Sequence, residues 1–198
     1  MNHYPMKGIV LLSILAACIA TICDVFHVYT HTLSYPDPLF LNQAWWVFPG
    51  FFIAFASMAI NYLQLLPALS KVIPLQLSQS NGTLRNLVES LMLFVMVYLT
   101  SAFGNADPAM LSYIFYLTFF IRFIFSYERS FLLIIAILLA VGGMFFEGLL
   151  SYFGLVAYRH VDIFYVPWWL GGLYMHGAFA LREGMRFFVF TKDKYSER

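Results

Sequence analysis

The stretch that decides the fold is Tyr158–Arg186, YRHVDIFYVPWWLGGLYMHGAFALREGMR, in which an aromatic collar leads into a long apolar run. Tyr and Trp favour the headgroup region of a bilayer, because their rings are apolar while their O–H and N–H groups stay near water. Pro167 suits the first turn of a helix, where its missing N–H costs no hydrogen bond. The stretch therefore predicts a helix that enters a membrane at Pro167 and leaves it among the charged residues Arg182, Glu183 and Arg186.

The composition of the whole chain agrees with a membrane protein. Of its 198 residues, 62% are hydrophobic and only 11% are charged, whereas a typical soluble domain carries about 25% charged residues. A soluble protein this apolar could not cover its surface with polar groups. The net charge of +1 and the absence of a basic run give no sign of nucleic-acid binding. The composition therefore predicts a polytopic membrane protein.

Six apolar runs are long enough to cross a bilayer as helices, for which about 17–25 residues suffice. Helices are expected because every backbone polar group must find a partner within the lipid. The predicted spans are Gly8–Tyr29, Trp45–Leu66, Leu84–Ala102, Ala109–Phe125, Ser130–Leu150 and Pro167–Phe190. The sequence thus predicts an all-α fold, in which residues 1–198 form a single domain of six transmembrane helices.

The basic residues predict the orientation of these spans. With six spans, the loops alternate between two sides, and of the 11 basic residues only Arg159 lies on the side away from the termini. Basic residues accumulate in cytoplasmic loops, so both termini are predicted to be cytoplasmic. The residues that support this orientation are Lys7, Lys71, Arg85, Arg122, Arg129, Arg182, Arg186, Lys192, Lys194 and Arg198.

Polar side chains within the spans are candidates for function, because burying them in lipid is costly unless they are paired or hydrated. Arg122, Arg182 and Arg186 lie near the cytoplasmic ends of their spans, and we expect them to extend to the interface as anchors. Glu147 has no cation nearby in sequence, and His176 lies in the middle of span six. Both are candidates for contact with a ligand inside the bundle, and for His176 a buried structural hydrogen bond is the alternative.

Asp24, His27 and His31 form the pattern that comes closest to a metal site. Spacings of three and four residues place them on one face of a helix, at the outer end of span one. Two histidines and a carboxylate can bind a metal ion, which could activate water in a membrane-embedded lipid hydrolase or transferase. No HExxH motif, phosphate-binding loop or nucleophile elbow is present. The sequence therefore favours a binding protein, with the metal-dependent enzyme as the alternative and a small transporter as a third class.

Three segments, in order along the chain, resemble the Insig family of six-span endoplasmic-reticulum proteins. Ala44–Val47, followed by Pro49, is similar to the family's opening of span two, and Tyr127–Ser130 is similar to its link between spans four and five. The third segment, which is similar to the family's span six, comprises Tyr158, Asp162, Tyr165, Val166, Trp169, Leu170, Gly177 and Arg186. The short polar ends suit a bacterial member of the family.

The resemblance implies a non-enzymatic protein without cofactors, whose central cavity holds a sterol or another amphipathic lipid and which regulates a sterol-sensing membrane partner. Ser112 and Phe125 match positions that face the family's ligand, while Glu128, next to Arg129, matches an acidic position that contacts the partner. Ser112 replaces a Gln of the family, so the lipid could also be an isoprenoid or a glyceride. A second copy of the chain is a further candidate partner. The expected location is the endoplasmic reticulum of a eukaryote or the plasma membrane of a bacterium.

Overall fold

The computed structural model describes residues 6–190, which form six α-helices and one pair of two-residue strands. The six predicted helices are confirmed, and each end lies within three residues of its predicted place. Lys192, Lys194 and Arg198, used above to predict the orientation, lie outside the described residues. The elements are α1 (Met6–Tyr29), β1 (Leu33–Ser34), α2 (Val47–Leu69), α3 (Leu84–Phe103), α4 (Pro108–Ile124), α5 (Arg129–Tyr152), β2 (Ala157–Tyr158) and α6 (Trp169–Phe188).

Four of the described helices, α1, α2, α3 and α5, are long and apolar enough to cross a membrane. Helix α4 is apolar but only 17 residues long, which is the lower end of the usual range of about 17–25 residues. Helix α6 lies in the middle of the bundle, against α1, α3, α4 and α5. Its charged residues therefore need not face lipid, and the chain is an integral membrane protein with an all-helical fold.

The alternating helices give the bundle two sides, which we name from their loops. The terminal side carries the start of α1, the end of α6 and the loops 70–83 and 125–128. The distal side carries the loops 30–46, 104–107 and 153–168. That the terminal side faces the cytoplasm stays a prediction.

A continuous apolar core fills the terminal half of the bundle. It joins α1, α2, α4, α5 and α6, and at its centre the rings of Tyr62 and Phe131 meet edge to face with centroids 5.1 Å apart. Lipid is as apolar as these side chains, so close packing rather than transfer from water holds them together. Its most buried members include Ile9, Ala59, Tyr62, Leu66, Phe131, Leu132, Ala136, Ala178 and Met185.

The distal half has a second core, which α1, α3, α4 and α6 build around the fully buried Trp169. Helix α2 contributes no fully buried residue between Phe48 and Met58. In the distal half of α5, only Gly143 and Gly148 are buried. Helices α2 and α5 therefore bury little of their surface here, although Phe51, Phe55 and Met144 still pack against the distal core. We use the word cleft for the region between α2 and α5 in front of α6, where few contacts join the two helices.

A short antiparallel strand pair links two loops on the distal side. Leu33 pairs with Tyr158, and Ser34 pairs with Ala157. The backbone N–H of Arg159 extends this contact by donating to the carbonyl of Thr32 at 2.9 Å. The pairing was not predicted from sequence. It holds the loop after α1 against the loop after α5.

Candidate functional site

Carboxylates and tyrosines gather at the distal end of the cleft. Glu147 on α5 accepts hydrogen bonds from the hydroxyls of Tyr158 and Tyr174, each at 3.0 Å. Asp24 on α1 is close enough to interact electrostatically with Glu147. Because the strand pair brings the two loops together, tyrosines from loops and helices converge on both carboxylates. We call this group the distal cluster, and it comprises Asp24, Glu147, Tyr35, Tyr98, Tyr158 and Tyr174.

The phenols that come from the loops are fixed as hydrogen-bond donors. Burial, reinforced by the charge of Asp24, raises the pKa of Tyr35 well above its usual value. Burial and the charge of Glu147 raise the pKa of Tyr158 in the same way. Both hydroxyls therefore keep their protons throughout the physiological pH range and point them at carboxylates.

A glycine of α5 allows this arrangement. A Cβ atom at Gly143 would lie 2.6 Å from the ring of Tyr174, so only glycine lets that ring lie against the α5 backbone. Tyr174 then reaches Glu147, one turn further along α5. In contrast, a Cβ atom at the neighbouring Gly142 would meet nothing within 4 Å. The two glycines therefore differ, since one supports a contact and the other borders open space.

The walls of the cleft below the distal cluster are apolar and aromatic. Phe51 and Phe55 of α2 stack with ring centroids 6.2 Å apart, and both are only partly buried. Phe94 of α3 packs against the same distal core as these two rings, and it lies 3.5 Å from the position that a Cβ atom would take at Gly177 of α6. An apolar space with polar groups at one end can hold a molecule that is itself apolar with a polar head.

The predicted metal ligands Asp24, His27 and His31 do not converge. Asp24 and His27 are buried and lie 3.6 Å apart, but His31 is exposed and has a left-handed backbone with φ of 55°. The expected shared face was wrong because α1 ends at Tyr29, so His31 is no longer on the helix. Residues 6–190 contain no group of three His, Cys, Asp or Glu side chains placed to hold a metal.

Asp24 and His27 instead belong to a buried hydrogen-bond network. Asp24 accepts from the hydroxyl of Tyr35 at 2.7 Å and from the amide of Gln43 at 3.0 Å. His27 Nε2 lies 2.7 Å from the Ser101 hydroxyl, which donates its own proton to the carbonyl of Tyr98. The Ser101 oxygen must therefore accept from His27. The network ties α1 to α3 beside the distal cluster.

Ser112 lies on α4 and Phe125 directly follows the end of that helix; α4 packs mainly against α6. Ser112 donates to the carbonyl of Pro108 at 2.9 Å, and Phe125 is 85% exposed at the terminal end of α4. Ser112 also lines an open cavity of about 570 Å³ on the distal side. The other residues of that cavity are Pro108, Ala109, Tyr113, Tyr116, Leu117, Asp162 and Trp168. The structure therefore does not bring Ser112 and Phe125 together with Glu147.

His176 and the arginines near the terminal side face away from the cleft. His176 is fully buried between α6 and α4, where it bonds to Arg122 and to the carbonyl of Phe115. The expectation that Arg182 and Arg186 extend to the interface was wrong, because they are only 4% and 8% exposed. The chain around α6 encloses them, so they pair inside the protein.

The partners of these arginines are Tyr127 and Glu183. The Arg182 guanidinium lies 3.9 Å above the Tyr127 ring, while Arg186 donates to Glu183 at 2.8 Å. Tyr127 donates its hydroxyl to Glu183 at 2.5 Å. Burial raises the pKa of Tyr127 to about 12, so this phenol also stays protonated. The network fastens the loop between α4 and α5 to α6.

Glu128 holds the neighbouring loop in place. Its carboxylate accepts the backbone N–H groups of Leu77 and Ser78, both at 2.8 Å, and also the Ser78 hydroxyl. Its backbone is left-handed, with φ of 46°. Arg129, in contrast, is exposed and makes only a 3.4 Å contact with the carbonyl of Ile124. Of the two predicted partner-binding residues, Arg129 is thus the accessible one.

The similarity of the chain to known proteins lies in its fold. No protein-family model and no curated protein matches it. The crystal structure of MvINS, a mycobacterial Insig homologue from Mycobacterium vanbaalenii, is similar with a TM-score of 0.75 and 22% identity, over 96% of this chain and 98% of that chain. A cross-linked trimer of a cysteine variant of MvINS is similar with a TM-score of 0.72 and 22% identity, over 93% and 96% of the two chains. The chain therefore has the fold of a bacterial Insig homologue, and the resemblance found in its sequence is confirmed at the level of the fold.

Proposed function

We propose that the protein binds an amphipathic lipid in the cleft between α2 and α5, without catalysis. The observation that carries this proposal is the distribution of polarity, because the apolar rings of Phe51, Phe55 and Phe94 are only partly buried against the distal core, while the carboxylate of Glu147 and its two phenol partners lie towards the distal end of the same region. A lipid would place its tail beside Phe51, Phe55 and Phe94 and its head at Glu147. The Insig-like fold supports the same function.

The chemistry of the distal cluster favours a lipid head that carries a hydroxyl group, such as that of a sterol, an isoprenoid alcohol or a glyceride. A carboxyl oxygen has two lone pairs, and phenols occupy only one on each oxygen of Glu147. A hydroxyl on the ligand can donate to a position that is left. A hydrogen bond contributes about 1 kcal/mol net, so a lipid without a donor would bind less tightly.

The lipid would act on the terminal surface through α2. Helices α2 and α5 meet at Tyr62 and Phe131 in the terminal half, and α2 continues into the loop 70–83 that Glu128 holds. A ligand that fits one separation of α2 and α5 better than another shifts the population of the two arrangements. The surface at Glu128 and Arg129 would change with it, and this surface is the proposed contact for a sterol-sensing-type membrane partner.

Two further assignments follow from the same comparison. A second copy of the chain is a proposed partner, because the similar protein MvINS was cross-linked as a trimer. The proposed location is the plasma membrane for a bacterial source and the endoplasmic reticulum for a eukaryotic one.

The experiment that tests the function identifies the lipid retained by the purified protein. Solvent extraction and mass spectrometry of wild-type protein should yield an equimolar hydroxyl-bearing lipid. Phe55→Trp, which adds bulk inside the cleft, should lose it, while Phe146→Trp should keep it, because Phe146 is exposed on the lipid-facing side of α5. Equal retention by both variants, or no retained lipid in wild-type protein, would refute the proposal.

A further inference from the structure

A positive charge without a counter-ion lies on the side of α6 opposite the cleft. Helix α4 turns its buried face, Leu111, Phe115 and Phe119, towards α6. Arg122 continues this face near the terminal end of α4 and is partly buried. Its guanidinium lies 4.0 Å above the ring of Phe179, and its NH1 group lies 2.8 Å from His176 Nδ1.

His176 does not neutralise this charge. A guanidinium can only donate hydrogen bonds, so the Nδ1 atom of His176 must accept and therefore carries no proton. The proton lies on Nε2, which donates to the carbonyl of Phe115 at 3.0 Å. In this tautomer the imidazole is neutral. Arg122 thus donates one hydrogen bond to its histidine partner, which offers it no negative charge.

The carboxylate of α6, Glu183, pairs with other arginines. Glu183 forms ion pairs with Arg186 at 2.8 Å and with Arg182 at 3.4 Å. Arg182 also lies 5.9 Å from the Phe179 ring that Arg122 covers, so the two guanidiniums share one aromatic neighbour. Within residues 6–190, Glu183 therefore pairs with Arg182 and Arg186, and none of the described acidic side chains pairs with Arg122.

An uncompensated charge in this position is costly, because it is partly withdrawn from water and cannot be fully solvated by lipid. We propose that a phosphate group completes the site by binding Arg122 at the edge between α4 and α6. Arginine binds phosphate well, because its planar donors match two phosphate oxygens at once. Arg122 makes no described hydrogen bond through its side chain other than that to His176, so donors remain for such a ligand.

The surroundings fit the headgroup of an anionic phospholipid from the leaflet on the terminal side. Arg122 lies less than one turn from the end of α4, on the terminal side of the bundle, where we expect the headgroup region of that leaflet. Ile121 and Phe125 flank it and are exposed, which gives acyl chains an apolar surface. Free phosphate shares the same chemistry, and the experiment separates the two sources. The site lies apart from the cleft, so it does not depend on the proposed function.

The test measures melting of the purified protein in detergent with phosphatidylglycerol, phosphatidylcholine or inorganic phosphate. Phosphatidylglycerol should raise the melting temperature of wild-type protein, and the other two additives should not. Arg122→Gln should weaken the apparent affinity for phosphatidylglycerol by about tenfold or more, a factor that corresponds to about 1.4 kcal/mol. Arg85→Gln is the matched control, because Arg85 is exposed on the same side of the membrane and pairs with Glu89.

Each other outcome contradicts part or all of the proposal. An equal response to phosphatidylcholine, or an equal response of the two glutamine variants, would overturn it. An Arg122-dependent response to inorganic phosphate of the same size would overturn the phospholipid assignment. Should Arg122→Gln not fold, Arg122→Lys serves in its place, because lysine keeps the charge but loses the planar pair of donors. An affinity of Arg122→Lys for phosphatidylglycerol equal to that of wild type would argue against a phosphate bound by the guanidinium. Glu147→Gln alters the cleft and should leave the phosphatidylglycerol response unchanged.

Discussion

Glu147 is a carboxylate in a membrane helix whose described partners are phenols rather than a cation. Its position in a span marked it as a functional candidate in the sequence, since ionisable residues in lipid are rare without a role. Its partners could not be predicted, because Tyr158 and Tyr174 lie 11 and 27 residues away and reach it only through the fold. The sequence could therefore single out Glu147 as a candidate, but it could not predict the residues that surround it.

We predict that Glu147→Gln weakens binding of a hydroxyl-bearing lipid by about fivefold, the loss expected when one hydrogen bond of about 1 kcal/mol is removed. A glutamine keeps the shape of the side chain but offers only one acceptor oxygen to the two phenols and the ligand. Competition binding with a labelled lipid measures the change. Glu89→Gln, on the exposed face of α3, should bind as wild type does, and identical affinities of both variants would contradict the role of Glu147.

Glu128 shows how a residue matched by resemblance acquires a different local role. Its carboxylate is occupied by the backbone and side chain of the loop 70–83. We predict that Glu128→Ala releases this loop and makes it a site of rapid cleavage in limited proteolysis. Arg129→Ala should leave cleavage unchanged, because Arg129 does not contact the loop in the described structure. Cleavage of both variants at the wild-type rate would show that Glu128 does not hold the loop.

At the scale of elements, the helices were predictable because length, hydropathy and aromatic collars act locally. The strand pair was not, since two residues in each strand carry no periodic pattern and pair only when α1 and α5 are in place. Charged residues in α6 were misjudged for a related reason. The sequence shows that Arg182 and Arg186 end an apolar run, but only the packing shows that other elements surround that end.

The contact between α5 and α6 provides a test with a built-in control. We predict that Gly143→Ala destabilises the protein by about 1–3 kcal/mol, as overpacking typically does, because the new methyl group would overlap the Tyr174 ring. Gly142→Ala should not destabilise it and is the neighbouring control, since its methyl group would meet nothing within 4 Å. Thermal melting in detergent distinguishes the two variants, and equal melting temperatures would contradict the role of Gly143 as a contact glycine.

At the scale of the whole molecule, tyrosines in the loops on both sides of the bundle make the fold less stable at alkaline pH. Burial raises the pKa of Tyr35 and Tyr158 on the distal side, and that of Tyr127 to about 12 on the terminal side, whereas an unfolded tyrosine has a pKa of about 10. These pKa values are higher in the folded state than in the unfolded state. The buried tyrosines therefore stabilise the fold fully below pH of about 10, and this stabilisation falls as pH rises above that value.

We therefore predict that the melting temperature falls steeply above pH of about 10. The triple variant with phenylalanine at Tyr35, Tyr127 and Tyr158 should melt lower at neutral pH but show a shallower fall. Replacing the exposed Tyr29 and Tyr113 by phenylalanine is the control and should keep the steep fall. Equal slopes in all three proteins would show that the buried phenols do not set the alkaline limit.

The central place of α6 also has a consequence in time. Both cores close around this helix, through Trp169 in the distal half and Met185 in the terminal half, yet it is the last of the six to leave the ribosome. Five nascent helices must wait in the bilayer with their inner faces open, and they are then exposed to non-native association. The bundle can consequently close only once α6 has entered the membrane, and chains that stop before α6 should be substrates for membrane quality control.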